Sequence, residues 1–364
     1  MLRVLLATHL SPVIHGQALM ASQLASANAA WSDIELYQLN TSYAETREAL
    51  KGGGLKKIFK LRDYLREAEE IIRNEKIDIL IVTPAFFRAP FFKDQYFLRT
   101  LKKRTGVKVV GWVHMDPERL EFDRLPYPLR RLAASLVKNV DHWVSCASSL
   151  ASQWPFWIVG DATKVNAISN GIPDPSPIDA KLSHSPKRLM YLSSMDPEKG
   201  WRDLYDVAVE LCETRVDFEV HFYGGVGAGE SQEALQEKFS TGPHASRIQW
   251  HGATWDDDKQ RAFQCADLFV FPSHTEQFPI SILEAMAHRL PIIATNVGAV
   301  RDALPDQPLL EAKNRVQLSS AITDFLDRPE HYNDQGNSNR QRFVERFSRD
   351  AFLKAWQQLL IQFN

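Results

Sequence analysis

Two glutamates, Glu276 and Glu284, stand eight positions apart in the segment ADLFVFPSHTEQFPISILEAMAHRLPIIATNVGAV, residues 266–300. Residue types around them change in a fixed order. An apolar run (Leu268–Phe271) gives way to a polar loop (Pro272–Phe278), then to a helical stretch and a second apolar run (Pro291–Thr295). Strand, loop and helix start in that order form an anion site at the C-terminal edge of a parallel sheet, because the first N–H groups of a helix have no partner inside it. Ionised carboxylates only accept hydrogen bonds, so two of them beside such a site suit the hydroxyls of a sugar or ribose. The chemistry is that of a phosphate-bearing, polyhydroxylated ligand. A glutamate near a helix start also serves simply to oppose the helix dipole, and the residues alone leave both uses open.

Other candidate groups carry less. The run GGVGAGE (224–230) places Glu230 where G-x-G-x-x-G from Gly225 needs its last glycine, so a nicotinamide fingerprint is broken. Cys146, Cys212 and Cys265 are far apart and form no metal-ligand pair; they fit buried apolar roles in a reducing compartment. His15, His221, His251 and His274 have no partner that the sequence identifies and read as structural.

The elements that must position these groups alternate along the chain. Apolar runs at Arg3–Thr8, Ile34–Leu39, Ile77–Val82, Lys108–His114, His142–Cys146 and Val165–Ser169 are separated by amphipathic stretches such as Gly16–Ala30, Lys56–Arg73 and Leu129–Lys138. That alternation predicts βαβ units and a parallel sheet. It stops at NGIPDPSPIDAKLSHSPKR (170–188), whose four prolines mark a linker. It restarts with runs at Arg188–Leu192, Phe218–Tyr223, Ile248–His251, Leu268–Phe271 and Pro291–Thr295, with helices such as Gly200–Glu213 and Asp256–Cys265 between them. An α/β chain of two Rossmann-like domains, 1–172 and 173–347, with parallel sheets facing a central cleft is expected. The helical tail (Arg340–Phe363) is expected to pack back on the first domain from about residue 348. At 364 residues the chain is long enough for two full cores.

Charge narrows the class of partner. The net charge of −2 argues against a nucleic-acid binder. Residues 1–175 nevertheless carry 23 basic against 18 acidic residues, and residues 51–104 carry 14 against 7. Two segments there, LKKIFKLRDYLR (55–66) and FFRAPFFKDQYFLRTLKKR (86–104), mix bases with large apolar groups. They read either as ordinary solvated helix faces or as a surface for anionic membrane through residues 55–104. The first residues, MLRVLLATHL, are too short an apolar run for a span or signal core and read as a buried strand, so a cytoplasmic protein is expected.

The spacing of Glu276 and Glu284 matches the E-x7-E pattern of glycosyltransferase family 4, the large retaining group of GT-B fold, and the chain resembles that family over nearly its whole length. Further motifs follow in family order: SPVIHGQ with Gly16, GWVHMDP with His114, NGIPDP, DPEKG with Lys199, YGG with Gly224 and Gly225, and HGAT with Gly252. The resemblance implies that the second domain binds a nucleotide-sugar donor. Glu284 would then accept ribose hydroxyls and Glu276 those of the donor sugar. Backbone N–H groups around Phe278, Ile280 and Ser281 would face phosphates or sugar, and Lys199 would neutralise the departing diphosphate. Gly16 would let the first loop approach the phosphate, and His114 would sit near the anomeric centre. It implies no metal, and no cofactor beyond the nucleotide sugar as co-substrate.

Three positions depart from the family pattern. Ser194 stands where an arginine often precedes the KG lysine by five residues, with Arg202 or Arg301 as alternative sources of that charge. Pro279 stands in an EQFP loop and lacks an N–H donor. His15-Gly16 replaces a glycine pair. The expected activity is retaining transfer of a sugar from a nucleotide-diphosphate sugar to a hydroxyl acceptor, a lipid-linked or cell-envelope saccharide. The alternatives are a sugar-nucleotide epimerase or phosphorylase on the same fold, and a non-catalytic subunit.

Overall fold

The computed structural model describes residues 1–9, 16–41, 54–86, 88–114, 121–155, 158, 161–175 and 184–363. His15, the stretch after His114 in GWVHMDP and linker residues 176–183 lie outside them, as do the side chains at 54–60. The chain forms two compact units, Met1–Gly171 with Arg349–Asn364, and Ile172–Ser348.

The first unit is a six-stranded parallel sheet. Its elements are β1 (Leu2–Thr8), α1 (Gly16–Ala25), β2 (Ile34–Asn40), α2 (Gly54–Asn74), β3 (Ile79–Val82), α3 (Arg88–Thr105), β4 (Lys108–Val113), α4 (Tyr127–Leu136), β5 (His142–Ser145), α5 (Ser148–Ala151) and β6 (Val165–Ala167). The strand order is β2-β1-β3-β4-β5-β6. Leu5 pairs with Tyr37 on one side and Leu80 on the other. Continuous apolar runs such as Ile79–Val82 are buried on both faces, as parallel strands covered by helices must be. Gly111 in β4 makes room for a neighbour: a Cβ there would lie 2.6 Å from the indole of the buried Trp143.

The basic aromatic segment 86–104 spends most of its apolar groups on this core. Phe86, Phe91, Phe97, Leu98 and Leu101 are buried, while Tyr96 faces outward with Arg99 and Lys103. Lys102 pairs with Asp141, and Arg104 with Glu69 at 2.9 Å.

The second unit carries β7 (Lys187–Leu192), α6 (Trp201–Cys212), β8 (Phe218–Tyr223), α7 (Gln232–Thr241), β9 (Ile248–Trp250), α8 (Asp256–Cys265), β10 (Leu268–Phe271), α9 (Ile280–Ala287), β11 (Ile292–Ala294), α10 (Val300–Ala303), α11 (Arg315–Asp327) and α12 (Asn333–Arg342). Its five parallel strands run β11-β10-β7-β8-β9. The chain builds outward from β7 to β9 on one side, then returns to β10 and β11 on the other. The loops after β7 and β10 therefore part in opposite directions, and ligands of open α/β sheets bind at such a switch point.

Each apolar run forms a strand to within two residues at either end, but two helices differ from expectation. The helix expected over Gly16–Ala30 stops at Ala25 and continues only as a short 3-10 turn, Ala27–Ala29. The tail is not one helix from Arg340 to Phe363. A π-turn at Phe343–Phe347 and an extended Ser348 interrupt it, with Ser348 N–H donating to Phe343 O at 2.8 Å. The last helix, α13 (Arg349–Phe363), is part of the first unit. Its Trp356 is fully buried, with ring centroid 5.0 Å from Trp112.

Candidate donor site

The C-terminal edge of the second sheet gathers most of the candidate residues. Lys199 ends the turn Pro197–Lys199 after β7, and Glu276 lies in the loop after β10. These are the two loops of the switch point. Asp196 opens the first turn by accepting from the Glu198 N–H at 3.0 Å, and His274 N–H donates to Glu198 O at 2.9 Å, pinning one loop to the other. Gly200 completes the junction at φ +73°, where a Cβ would lie 1.9 Å from Pro272 O. Only glycine fits both that conformation and that approach.

So held, Lys199 Nζ stands 2.7 Å from Glu276 Oε1, and the carboxylate side chain is 13 % exposed. Ser273, fully buried, brings its hydroxyl to 3.3 Å from the same oxygen. Thr295 at the end of β11 donates to Ser273 O at 2.5 Å. The lysine expected at a diphosphate and the glutamate expected at a sugar are thus in direct contact.

Glu284 makes a second pair of the same kind. It lies one turn inside α9 rather than at the helix start, with Oε1 2.6 Å from Lys259 Nζ of α8. Burial pushes its carboxyl up from the ordinary range, and Lys259 acts against that push. No side chain caps α9, whose N-cap is Pro279. The first-turn N–H groups of Ile280 and Ser281 are thereby left for an anion, while Phe278 is buried with its ring 5.9 Å from Phe347. The Phe278 side chain is taken up by that packing, and Pro279 has no N–H to offer.

The glycines divide. Gly224 follows β8 at φ +151°, and a Cβ there would meet Ser193 O at 1.7 Å, so its place is set by backbone packing. Gly225 has ordinary room, and Gly252 (φ +74°) faces open space. Ser194 is exposed, with its carbonyl 3.1 Å from the Tyr191 hydroxyl that donates to it. Neither arginine considered for the missing charge is uncommitted. Arg202 pairs with Glu230 at 2.5 Å, and Arg301 donates to Pro305 O and Gln307 O.

Gly16 and His114 belong to the first unit. Gly16 opens α1 after β1, and His114 follows β4 with its ring 4.2 Å from Trp112.

Several residues in and around this site carried no usable sequence signal. Lys259 sits in the polar run DDDKQR, whose aspartates occupy the exposed first turn of α8. Gly298, at φ +52°, lies against the Glu276 peptide, where a Cβ would be 2.2 Å from Glu276 O. His274 is not an isolated residue: its Nε2 lies 2.6 Å from Asp203, and Asp203 also accepts from Arg315 at 2.8 Å. Burial raises the Asp203 carboxyl, but those two partners outweigh it and hold it below the usual carboxylate range. His221 Nδ1 and His251 Nε2 are likewise 2.9 Å apart; burial lowers the pKa of both.

Two parallel-sheet units, the second with a lysine, two glutamates and an uncapped helix start at its switch point, define a protein of GT-B fold. Residues 177–342, within the second unit, match the family described as Glycosyl transferases group 1. The chain is 22% identical to the glycogen synthase of Mycobacterium tuberculosis over 275 residues, 74% of this chain and 64% of that protein. The chain thus spans less than two thirds of that relative's length. It is also 22% identical to the alpha-galactosylglucosyldiacylglycerol synthase of Streptococcus pneumoniae, over 89% of each chain. Anabaena HepE, solved in complex with UDP, shares the fold with a TM-score of 0.70 at 15% identity, covering 99% of this chain and all of that one.

Proposed function

We propose that the protein is a retaining glycosyltransferase of family 4 that transfers a sugar, of hexose type, from a nucleoside-diphosphate donor to a hydroxyl acceptor without a metal. The observation that carries this is the contact of Lys199 with Glu276 beside the uncapped start of α9. One pocket edge then offers a fixed cation, N–H donors and hydroxyl acceptors, the set that a sugar diphosphate requires. The matched family and the UDP complex of HepE support the same donor class.

In the reaction the bond from the anomeric carbon to the diphosphate oxygen breaks, a bond to the acceptor oxygen forms, and the acceptor proton leaves with the diphosphate. Negative charge grows on the leaving group in the transition state. Lys199 and the first N–H groups of α9 meet that charge, so they lower the barrier as well as tighten binding. Glu276 holds hydroxyls of the transferred sugar, Glu284 those of the ribose, and His114 is assigned to the reacting sugar.

The acceptor is proposed to be a lipid-linked or cell-envelope saccharide, reached from the cytoplasmic face. The pneumococcal relative's name points to a lipid product, and Tyr96, Arg99 and Lys103 supply an exposed basic aromatic face on α3. No helix among the described residues is long and apolar enough to cross a membrane. Flotation with anionic liposomes checks the surface: binding at low salt that high salt removes supports it, and no binding at low salt refutes it.

Incubation with labelled nucleotide sugars, with and without saccharide and glycolipid acceptors, tests the reaction. Acceptor-dependent transfer with retained configuration is expected. Isomer formation without acceptor would make the protein an epimerase, and dependence on inorganic phosphate a phosphorylase.

A further inference from the structure

Glu284 is an unusual acid for its surroundings. Its neighbours in α9, Ile282, Leu283, Ala285, Met286 and Ala287, are all buried, and its own side chain is only 14 % exposed. A carboxylate in such a place either takes up a proton or needs a fixed cation. Lys259 supplies the cation from a different helix, with Nζ 2.6 Å from Oε1. Among the described residues the Lys259 ammonium has no other partner, and Glu284 Oε2 accepts no hydrogen bond. One oxygen is therefore occupied and the other is left as an acceptor.

This arrangement differs from a surface ion pair, which contributes little. Removing Lys259 would leave a mostly buried acid without its charge partner, and burial would then drive the carboxyl toward its neutral form. A neutral carboxyl is a poorer acceptor and presents a donor of its own.

We propose that Lys259 is a positioning residue of the donor site: it holds Oε1 of Glu284 so that Oε2 receives the ribose hydroxyls of a nucleoside diphosphate. The inference rests on the donor reading above and goes beyond it. Lys259 acts through Glu284 and touches no ligand, so its effect must depend on the ribose hydroxyls being present.

The test is calorimetric titration of the full chain and of Lys259→Met and Lys259→Arg with UDP, GDP and ADP, and with the 2′,3′-dideoxy form of whichever binds. For the ribonucleotide, Lys259→Met is expected to raise Kd about ten-fold, the scale of one charge-assisted hydrogen bond. That loss grows as pH falls from about 8 to about 6, and Lys259→Arg recovers most of it because it keeps the cation. For the dideoxy nucleotide, the full chain and Lys259→Met bind alike. Two results overturn the inference while leaving the donor reading intact: an unchanged ribonucleotide Kd in Lys259→Met, or an equal loss with the dideoxy form, which would mean direct phosphate contact or a general structural role. If none of the three nucleotides binds the full chain, the donor reading fails and the inference with it.

Discussion

Lys199 and Glu276, 77 positions apart in the chain, meet at 2.7 Å across the switch point of the second sheet. A diphosphate arriving at the start of α9 would draw on the same ammonium that the carboxylate now holds. The two side chains are therefore expected to act as a unit. Lys199→Ala should lower kcat about 100- to 1,000-fold. The double variant Lys199→Ala/Glu276→Gln should lose far less than the product of the single losses. Steady-state kinetics on the four proteins decides it; a Lys199→Ala variant altered only in KM would remove the leaving-group role.

Gly298 and Gly252 both have positive φ, at +52° and +74°, yet they should respond differently to the same substitution. At Gly252 a methyl group enters open space, so Gly252→Ala should cost roughly 1–2 kcal/mol from backbone strain alone. At Gly298 the methyl would press on the Glu276 carbonyl 2.2 Å away. Gly298→Ala should cost over roughly 3 kcal/mol and lower activity by displacing the loop. Denaturant midpoints for the two variants check this, and equal losses would contradict it.

Asp203 links α6 to the loop carrying Glu276, through His274, and to the start of α11, through Arg315. Its carboxyl is held below the usual range, so the folded state binds that proton less readily than the unfolded chain. The stabilisation is full above the unfolded value of about 3.9 and is lost as pH falls through the lower folded value. Asp203→Asn should cost about 1.5–3 kcal/mol near pH 7. The gap between the melting curves of the two proteins should narrow as pH falls below the unfolded value; a gap that stays constant with pH would assign the effect to packing.

What could be read from the chain beforehand follows from how locally each feature is encoded. Leu268–Phe271 is apolar throughout because β10 is covered on both faces, and such a run announces a parallel strand wherever it stands. The E-x7-E spacing places Glu276 and Glu284 on one loop and helix, so their vicinity was also legible. Lys259 was not: nothing in DDDKQR distinguishes a lysine aimed at a buried acid from one on a solvated helix face, since the difference is the placement of α8 against α9. The Asp203–His274 contact spans 71 positions and depends on the same kind of placement. The breaks after Ala25 and at Ser348 are not legible in the sequence, because the amphipathic pattern runs on through both.

The most direct test of the donor reading is the melting temperature of the full chain and of Glu284→Ala in the presence of UDP, GDP, ADP and their sugars. A ligand bound only by the folded protein adds stability as RT ln(1 + [L]/Kd), about 2.7 kcal/mol at a hundred-fold excess over Kd. One nucleotide base is predicted to raise the melting temperature of the full chain by several degrees, with Glu284→Ala folding but losing most of that rise. No shift with any nucleotide, or an undiminished shift in Glu284→Ala, would contradict a donor site built on Glu284.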